Sequence, residues 1–128
     1  MKKVLFGFVF MMCVLFVTGQ CSIDYNYYPV SANYGLDPDS LPDGYVGQFY
    51  DEDMTFFLPL DTVDGGIAVI FEDFHITSIS LPLGLTWECN SSANSCHYDP
   101  AVSQYGCVKL SGSALVSGIY DVMVNLEA

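Results

Sequence analysis

The chain has 128 residues, a formal net charge of −12, and three basic residues against fifteen acidic ones. Two of the bases, Lys2 and Lys3, stand at the very start, so Lys109 is the sole Lys or Arg in everything that follows. A surface this acidic repels phosphate backbones and anionic membranes, which are bound through Lys and Arg, and this excludes a nucleic-acid binder.

Lys2 and Lys3 lead into an apolar run from Val4 to Val17, followed by Thr18 and Gly19. A charged start, a short apolar stretch and a small residue at the exit form a secretory signal peptide. The run is shorter than the roughly 20 apolar residues of a membrane span, so none is expected after cleavage. Cleavage after Gly19 would leave Gln20 first. The competing reading is a lipoprotein acylated on Cys21, but Gln20 is not the small residue such signals place before the cysteine. Either way the protein is expected to be secreted or held at the cell surface. Residues 20–128 have the size of one small domain with a modest core.

Residues 20–44 form a leader rich in Tyr, Asp, Asn, Pro and Ser. Such turn formers predict an extended chain over the domain surface. Tyr25, Tyr27, Tyr28 and Tyr34 are expected to be exposed and could stack on sugar rings, with Tyr27 and Tyr28 the candidate glycan contacts, because rings with polar tips suit wet interfaces. Asp37, Asp39 and Asp43 cluster in one loop, and calcium binds oxygen-rich loops of this kind. Calcium is the one candidate ligand; otherwise no cofactor is expected. The spacing is not that of an EF-hand, and the plainer reading is a solvated acidic surface. Asp51, Glu52 and Asp53, and Asp61 and Asp64, are read in the same way.

Residues 45–128 read as β throughout. Val46–Tyr50 is predicted as a short strand or bulged edge, and Met54–Leu58 as a strand stopped by Pro59. Asp64-Gly65-Gly66 is a turn, and the continuous apolar run Ile67–Phe71 predicts a buried strand. Phe74–Leu81 alternates imperfectly. Leu81-Pro82-Leu83-Gly84 is a tight turn into the short strand Leu85-Thr86-Trp87, and Val108-Lys109-Leu110 is a further strand. In the last strand Tyr120, Val122, Val124 and Leu126 share one face, with the period of two of a half-buried strand. Short strands, frequent turns and the absence of a helical period predict an all-β immunoglobulin-like sandwich. Trp87, the single Trp, is assigned to its core.

Cys13 lies in the signal. Cys21, Cys89, Cys96 and Cys107 remain, an even count that in an exported domain means disulfides. Cys89 can pair with Cys107 across a hairpin, leaving Cys96 for Cys21. Equally, Cys89 can close a small loop onto Cys96, leaving Cys107 for Cys21. Zinc is disfavoured by the six residues between Cys89 and Cys96.

The two histidines offer little chemistry. His75 lies on a predicted strand and reads as a packed or edge residue. His97 and Asp99, with Ser92, Ser95 or Ser103, hold the residue types of a hydrolase triad but no Gly-x-Ser-x-Gly elbow accompanies them. No catalytic residue is assigned and the chain is read as a non-enzyme. Asn90-Ser91-Ser92 has the form of a glycan acceptor.

Leu81-Pro82-Leu83-Gly84-Leu85, Ser111-Gly112, and Gly118-Ile119-Tyr120 with Val124 resemble the bacterial putative-Ig modules, with Ser113-Ala114 standing where those have Thr-Pro. Asp39-Ser40-Leu41-Pro42-Asp43, Tyr45-Val46-Gly47, Cys89-Asn90 and Gly106-Cys107 follow the order seen in exported surface proteins of Bacteroidota. The resemblance implies a non-enzymatic accessory or adhesion module whose partner is a cell-surface protein. The alternative is a carbohydrate-binding module with a glycan as partner, and a small secreted enzyme ranks last.

Overall fold

The computed structural model describes residues 20–29, 34–91 and 94–128. The signal-peptide reading of residues 1–19 and the Ser92 candidate lie outside the described residues. Those residues hold nine strands: β1 (Gly35–Asp37), β2 (Tyr50–Phe57), β3 (Asp61–Asp64), β4 (Ile67–Ile70), β5 (Phe74–Ser80), β6 (Leu85–Cys89), β7 (His97–Tyr98), β8 (Tyr105–Gly112) and β9 (Met123–Glu127). No helix among them is long and apolar enough to cross a membrane. All pairings are antiparallel. One sheet has the order β1-β2-β8-β6, a second β7-β5-β9, and β3 and β4 form a separate hairpin.

The central pair β2 and β8 organises the core. Met54 lies opposite Val108 and Phe56 opposite Gly106, on the inward face. Side chains on that face alternate with Asp51, Asp53, Thr55 and Phe57 on the other, as the pleat requires. Met54, Val108 and Leu110 are wholly buried and meet Phe74, Ile76 and Ile79 of β5 and Tyr98 of β7. The core thus sits between the two larger sheets. Gly106 is where the rings pass closest. Phe56 and Tyr98 meet edge-to-face, centroids 4.9 Å apart, and a Cβ on Gly106 would collide with both.

β5 explains its own imperfect alternation. The register with β9 slips between Ile76 and Ser78, a bulge that adds one residue. Phe74 and Ile76 therefore point inward before it, and Ile79 after it. The predicted turn before β6 is present. The Leu85 N–H donates to the Pro82 carbonyl at 3.1 Å, and Gly84 has φ +99°, a conformation in which a Cβ would strain.

Several expectations need correction. Of the predicted strand 46–50 only Tyr50 is extended; residues 45–48 turn instead, the Gln48 N–H donating to the Tyr45 carbonyl. The run Ile67–Phe71 is not a buried strand. Ile67–Ile70 pairs only with β3, and Ile67 and Ile70 are about 70% and 77% exposed. An apolar run signals burial only if a second layer covers it, and here the hairpin lies outside both larger sheets. Trp87 is half-buried on the edge strand β6, packed at the rim of the core, whose centre belongs to Met54, Val108 and Leu110. The strands β1, β3 and β7 were not predicted.

Candidate functional site: a tyrosine-rich face over the central strands

The outward face of β2 and β8 would ordinarily be wet in an antiparallel sheet. Here Thr55 and Phe57 are buried because the leader crosses it. The Cys21–Cys107 disulfide ties the leader to β8. The Ser22 N–H then donates to Asp53 Oδ2 at 3.0 Å, and the Asp24 N–H to Thr55 Oγ1 at 2.9 Å. Asp24 next folds the chain back. Its Oδ1 accepts from the Asn26 N–H and its carbonyl from the Tyr27 N–H, an Asx-type turn.

That turn aims tyrosines at the sheet. Tyr25 meets Tyr105 edge-on at 5.3 Å, Tyr105 meets Phe57 at 5.0 Å, and Phe57 meets Tyr28 at 5.2 Å. Each geometry suits the ring quadrupoles. The Tyr105 hydroxyl donates to the Tyr27 carbonyl at 2.9 Å and closes the arrangement. Tyr25 and Tyr28 remain about two-thirds exposed. Tyr27, expected to be exposed, is half-buried with its hydroxyl over Gly35 of β1. Burial raises the Tyr27 hydroxyl above its ordinary range, and the charges of Asp37 and Asp39 push the same way. The exposed surface is thus built by Tyr25 and Tyr28, with Phe57 and Tyr105 behind them. Phe57 and Tyr105 were missed in the sequence because nothing local links them to the leader.

Beside this face, Lys109 Nζ sits 2.9 Å from Asp51 Oδ1 and 3.0 Å from Asp53 Oδ1. The close carboxylates of Asp51, which accepts a hydrogen bond from it, and Asp53 raise the ammonium above its ordinary value. Asp53 Oδ1 is shielded from solvent and makes no hydrogen bond of good geometry, so it relies on that charge.

The cysteines follow the second of the two pairings considered: Cys21 with Cys107 and Cys89 with Cys96. Asp37 lies half-buried in β1, whereas Asp39 and Asp43 are exposed in the following loop. Among the described residues no three His, Cys, Asp or Glu side chains converge as metal ligands would. His75 and His97 stack at 4.0 Å on facing strands, and His97 Nδ1 contacts Asp73 Oδ2 at 2.8 Å. The partner of His97 is therefore Asp73, not Asp99, whose Oδ1 accepts from the Ala101 N–H. Ser103 donates to the Tyr105 carbonyl, and the triad imagined around His97 and Asp99 does not assemble. Asn90 Oδ1 accepts from the Tyr98 hydroxyl at 2.6 Å and from the Cys107 N–H at 3.1 Å. Its amide is part of the fold.

Comparison with known proteins finds no matching family model, no matching curated protein and no matching solved structure.

Proposed function

We propose that this chain is an exported, non-enzymatic immunoglobulin-like module that serves as an accessory or adhesion domain at the cell surface. The strand order carries the reading. An immunoglobulin sandwich has A-B-E-D in one sheet and C with F in the other. The order β1-β2-β8-β6 supplies the first in the right chain sequence, and β5 with β9 supplies C and F. Tyr120 adds support. It lies between β8 and β9, and its hydroxyl donates to the Val116 carbonyl, four residues upstream, at 2.9 Å. This is similar to the tyrosine corner near the start of strand F, whose hydroxyl bonds back to the backbone a few residues upstream. The disulfides depart from the antibody pattern, since neither joins β2 to β9. Two disulfides suit an oxidising compartment and agree with the export signal read at residues 1–19. The motif order of residues 39–124 is the reason to place the chain among modules of bacterial surface proteins.

A glycan reading is favoured by one feature, the exposure of Tyr25 and Tyr28 on a rigid aromatic backing. Residues 20–128, immobilised and exposed to intact cells, separate the two. Protease treatment of the cells should abolish retention if a surface protein is the partner, while mild periodate should leave it unchanged. The opposite pattern would establish the glycan reading in its place.

A further inference from the structure

Two tyrosine rings stand out from the face over β2 and β8. Tyr25 and Tyr28 are about two-thirds exposed, yet each is held from behind, Tyr25 by Tyr105 and Tyr28 by Phe57. The same turn exposes Asp24 and Asn26. The Asn26 N–H donates to Asp24 Oδ1 at 3.0 Å, which fixes that carboxylate one residue from Tyr25. The turn thus offers ring surface, a carboxylate that only accepts, and an amide that donates and accepts. The charge here has one sign. Lys109 is the sole Lys or Arg beyond Lys3, and its ammonium is taken by Asp51 and Asp53. Burial first, and the charges of Asp37 and Asp39 next, raise the Tyr27 hydroxyl, so a negative potential already lies over the leader.

We propose that Tyr25 and Tyr28 bind an uncharged glycan, and that the face turns away glycans carrying carboxylate or sulfate. A sugar ring has an apolar C–H face and a rim of hydroxyls. The C–H face covers a tyrosine ring, which is apolar in its body and polar at its tip. A rim hydroxyl donates to the Asp24 carboxylate, a charge-assisted bond that no acidic substituent can make in its ionised form. An acidic glycan meets the opposite situation. Its carboxylate or sulfate finds no free ammonium or guanidinium, and like charges brought together across an interface are costly. The inference rests on the glycan reading given above. It adds the class of glycan and the two rings that carry it.

The test is affinity electrophoresis of residues 20–128 in native gels cast with one polymer each. The uncharged set is hydroxyethylcellulose, galactomannan, arabinoxylan and dextran. The acidic set is carboxymethylcellulose, polygalacturonate and chondroitin sulfate. At least one uncharged polymer should retard the protein, and every acidic polymer should bind at least about tenfold more weakly. Tyr25→Ala and Tyr28→Ala, made singly, should each weaken retardation by about tenfold or more. Tyr25→Phe and Tyr28→Phe keep the rings and should retain most of it. Bound polymer should also slow amide exchange across Ser22–Tyr28, a readout that needs no variant. An acidic polymer that retards as strongly as the uncharged ones overturns the inference and leaves the glycan reading standing. So does retardation that changes neither exchange at Ser22–Tyr28 nor with the Ala variants. Retardation by no polymer overturns it as well; periodate-sensitive retention on cells then keeps the glycan reading, and protease-sensitive retention removes both.

Discussion

Replacing Tyr98 by Phe should change stability in opposite directions at neutral and alkaline pH. Tyr98 is buried in the core, and its hydroxyl donates to Asn90 Oδ1 at 2.6 Å. Asn90 Oδ1 keeps a second donor, the Cys107 N–H, so removing the hydroxyl strands no buried acceptor. The cost at pH 8 should be that of one ordinary hydrogen bond, about 1 kcal/mol. Burial also raises the Tyr98 hydroxyl from 10.0 to about 12. The folded protein therefore holds this proton more tightly than the unfolded chain does. Stability from this source is complete below pH 10 and is lost as pH rises through 12, because the unfolded chain releases its proton first. Two decades of affinity correspond to about 3 kcal/mol in all, of which about 1.4 kcal/mol is gone by pH 11. The Phe variant has no such loss. Tyr27, Tyr50 and Lys109 are shifted upward as well, but they are common to both proteins and cancel in the difference. Urea unfolding of both proteins at pH 8 and pH 11, with disulfides intact, should find the wild type ahead at pH 8 and level with the variant, or behind it, at pH 11. A gap that stays the same at pH 11 would refute the claim that Tyr98 is held neutral by burial.

Gly106→Ala should destabilise the protein by about 1–3 kcal/mol, since the new methyl meets Phe56 and Tyr98, and thermal unfolding would show it. Removing Cys21–Cys107 by double Ser substitution should cost about 2 kcal/mol more than removing Cys89–Cys96, because the chain-entropy term grows with the sequence separation, 86 against 7; urea midpoints compare the two. The double change Tyr25→Ala and Tyr28→Ala should cost about 1–2 kcal/mol, as each ring has an edge-to-face partner, and it should abolish cell retention only under the glycan reading. Sequencing the exported protein should give Gln20 as its first residue, whereas an acylated Cys21 would make it a lipoprotein.

Much of the all-β character was legible because it is local. The turn at Pro82–Leu85 needs a glycine with positive φ, and Gly84 supplies it. The predicted alternation of the last strand holds only in part: β9 begins at Met123, so Tyr120 and Val122 precede it, Val124 packs against the core, and Leu126 is exposed. Four cysteines beyond residue 20 announced two disulfides, and chain separation alone could not choose their pairing. What stayed hidden depends on distant partners. β1 has three residues and is a strand only because Leu36 lies opposite Phe56. β7 has two, fixed by the pairing of His97 with His75. Ile67–Ile70 has the composition of a core strand, yet whether a second layer covers it is decided by topology.

The tyrosine face shows the same dependence most fully. Tyr25, Tyr27 and Tyr28 sit among turn formers, and by sequence alone they dangle in solvent. The disulfide at Cys21 reverses that expectation. It anchors the leader to β8 beside Asp53 and Thr55, whose side chains accept the next available N–H groups. Once these bonds are made, the Asp24 turn brings the tyrosines onto Phe57 and Tyr105. The rings are then held in place before any ligand arrives, which under the glycan reading lowers the entropic cost of binding. Under the glycan reading, reducing Cys21–Cys107 should therefore weaken glycan binding even where the rest of the core survives, because the disulfide holds the leader that carries Tyr25 and Tyr28. If retention on cells were unchanged in a folded Cys21→Ser, Cys107→Ser protein, the leader would be held by its hydrogen bonds and ring contacts alone.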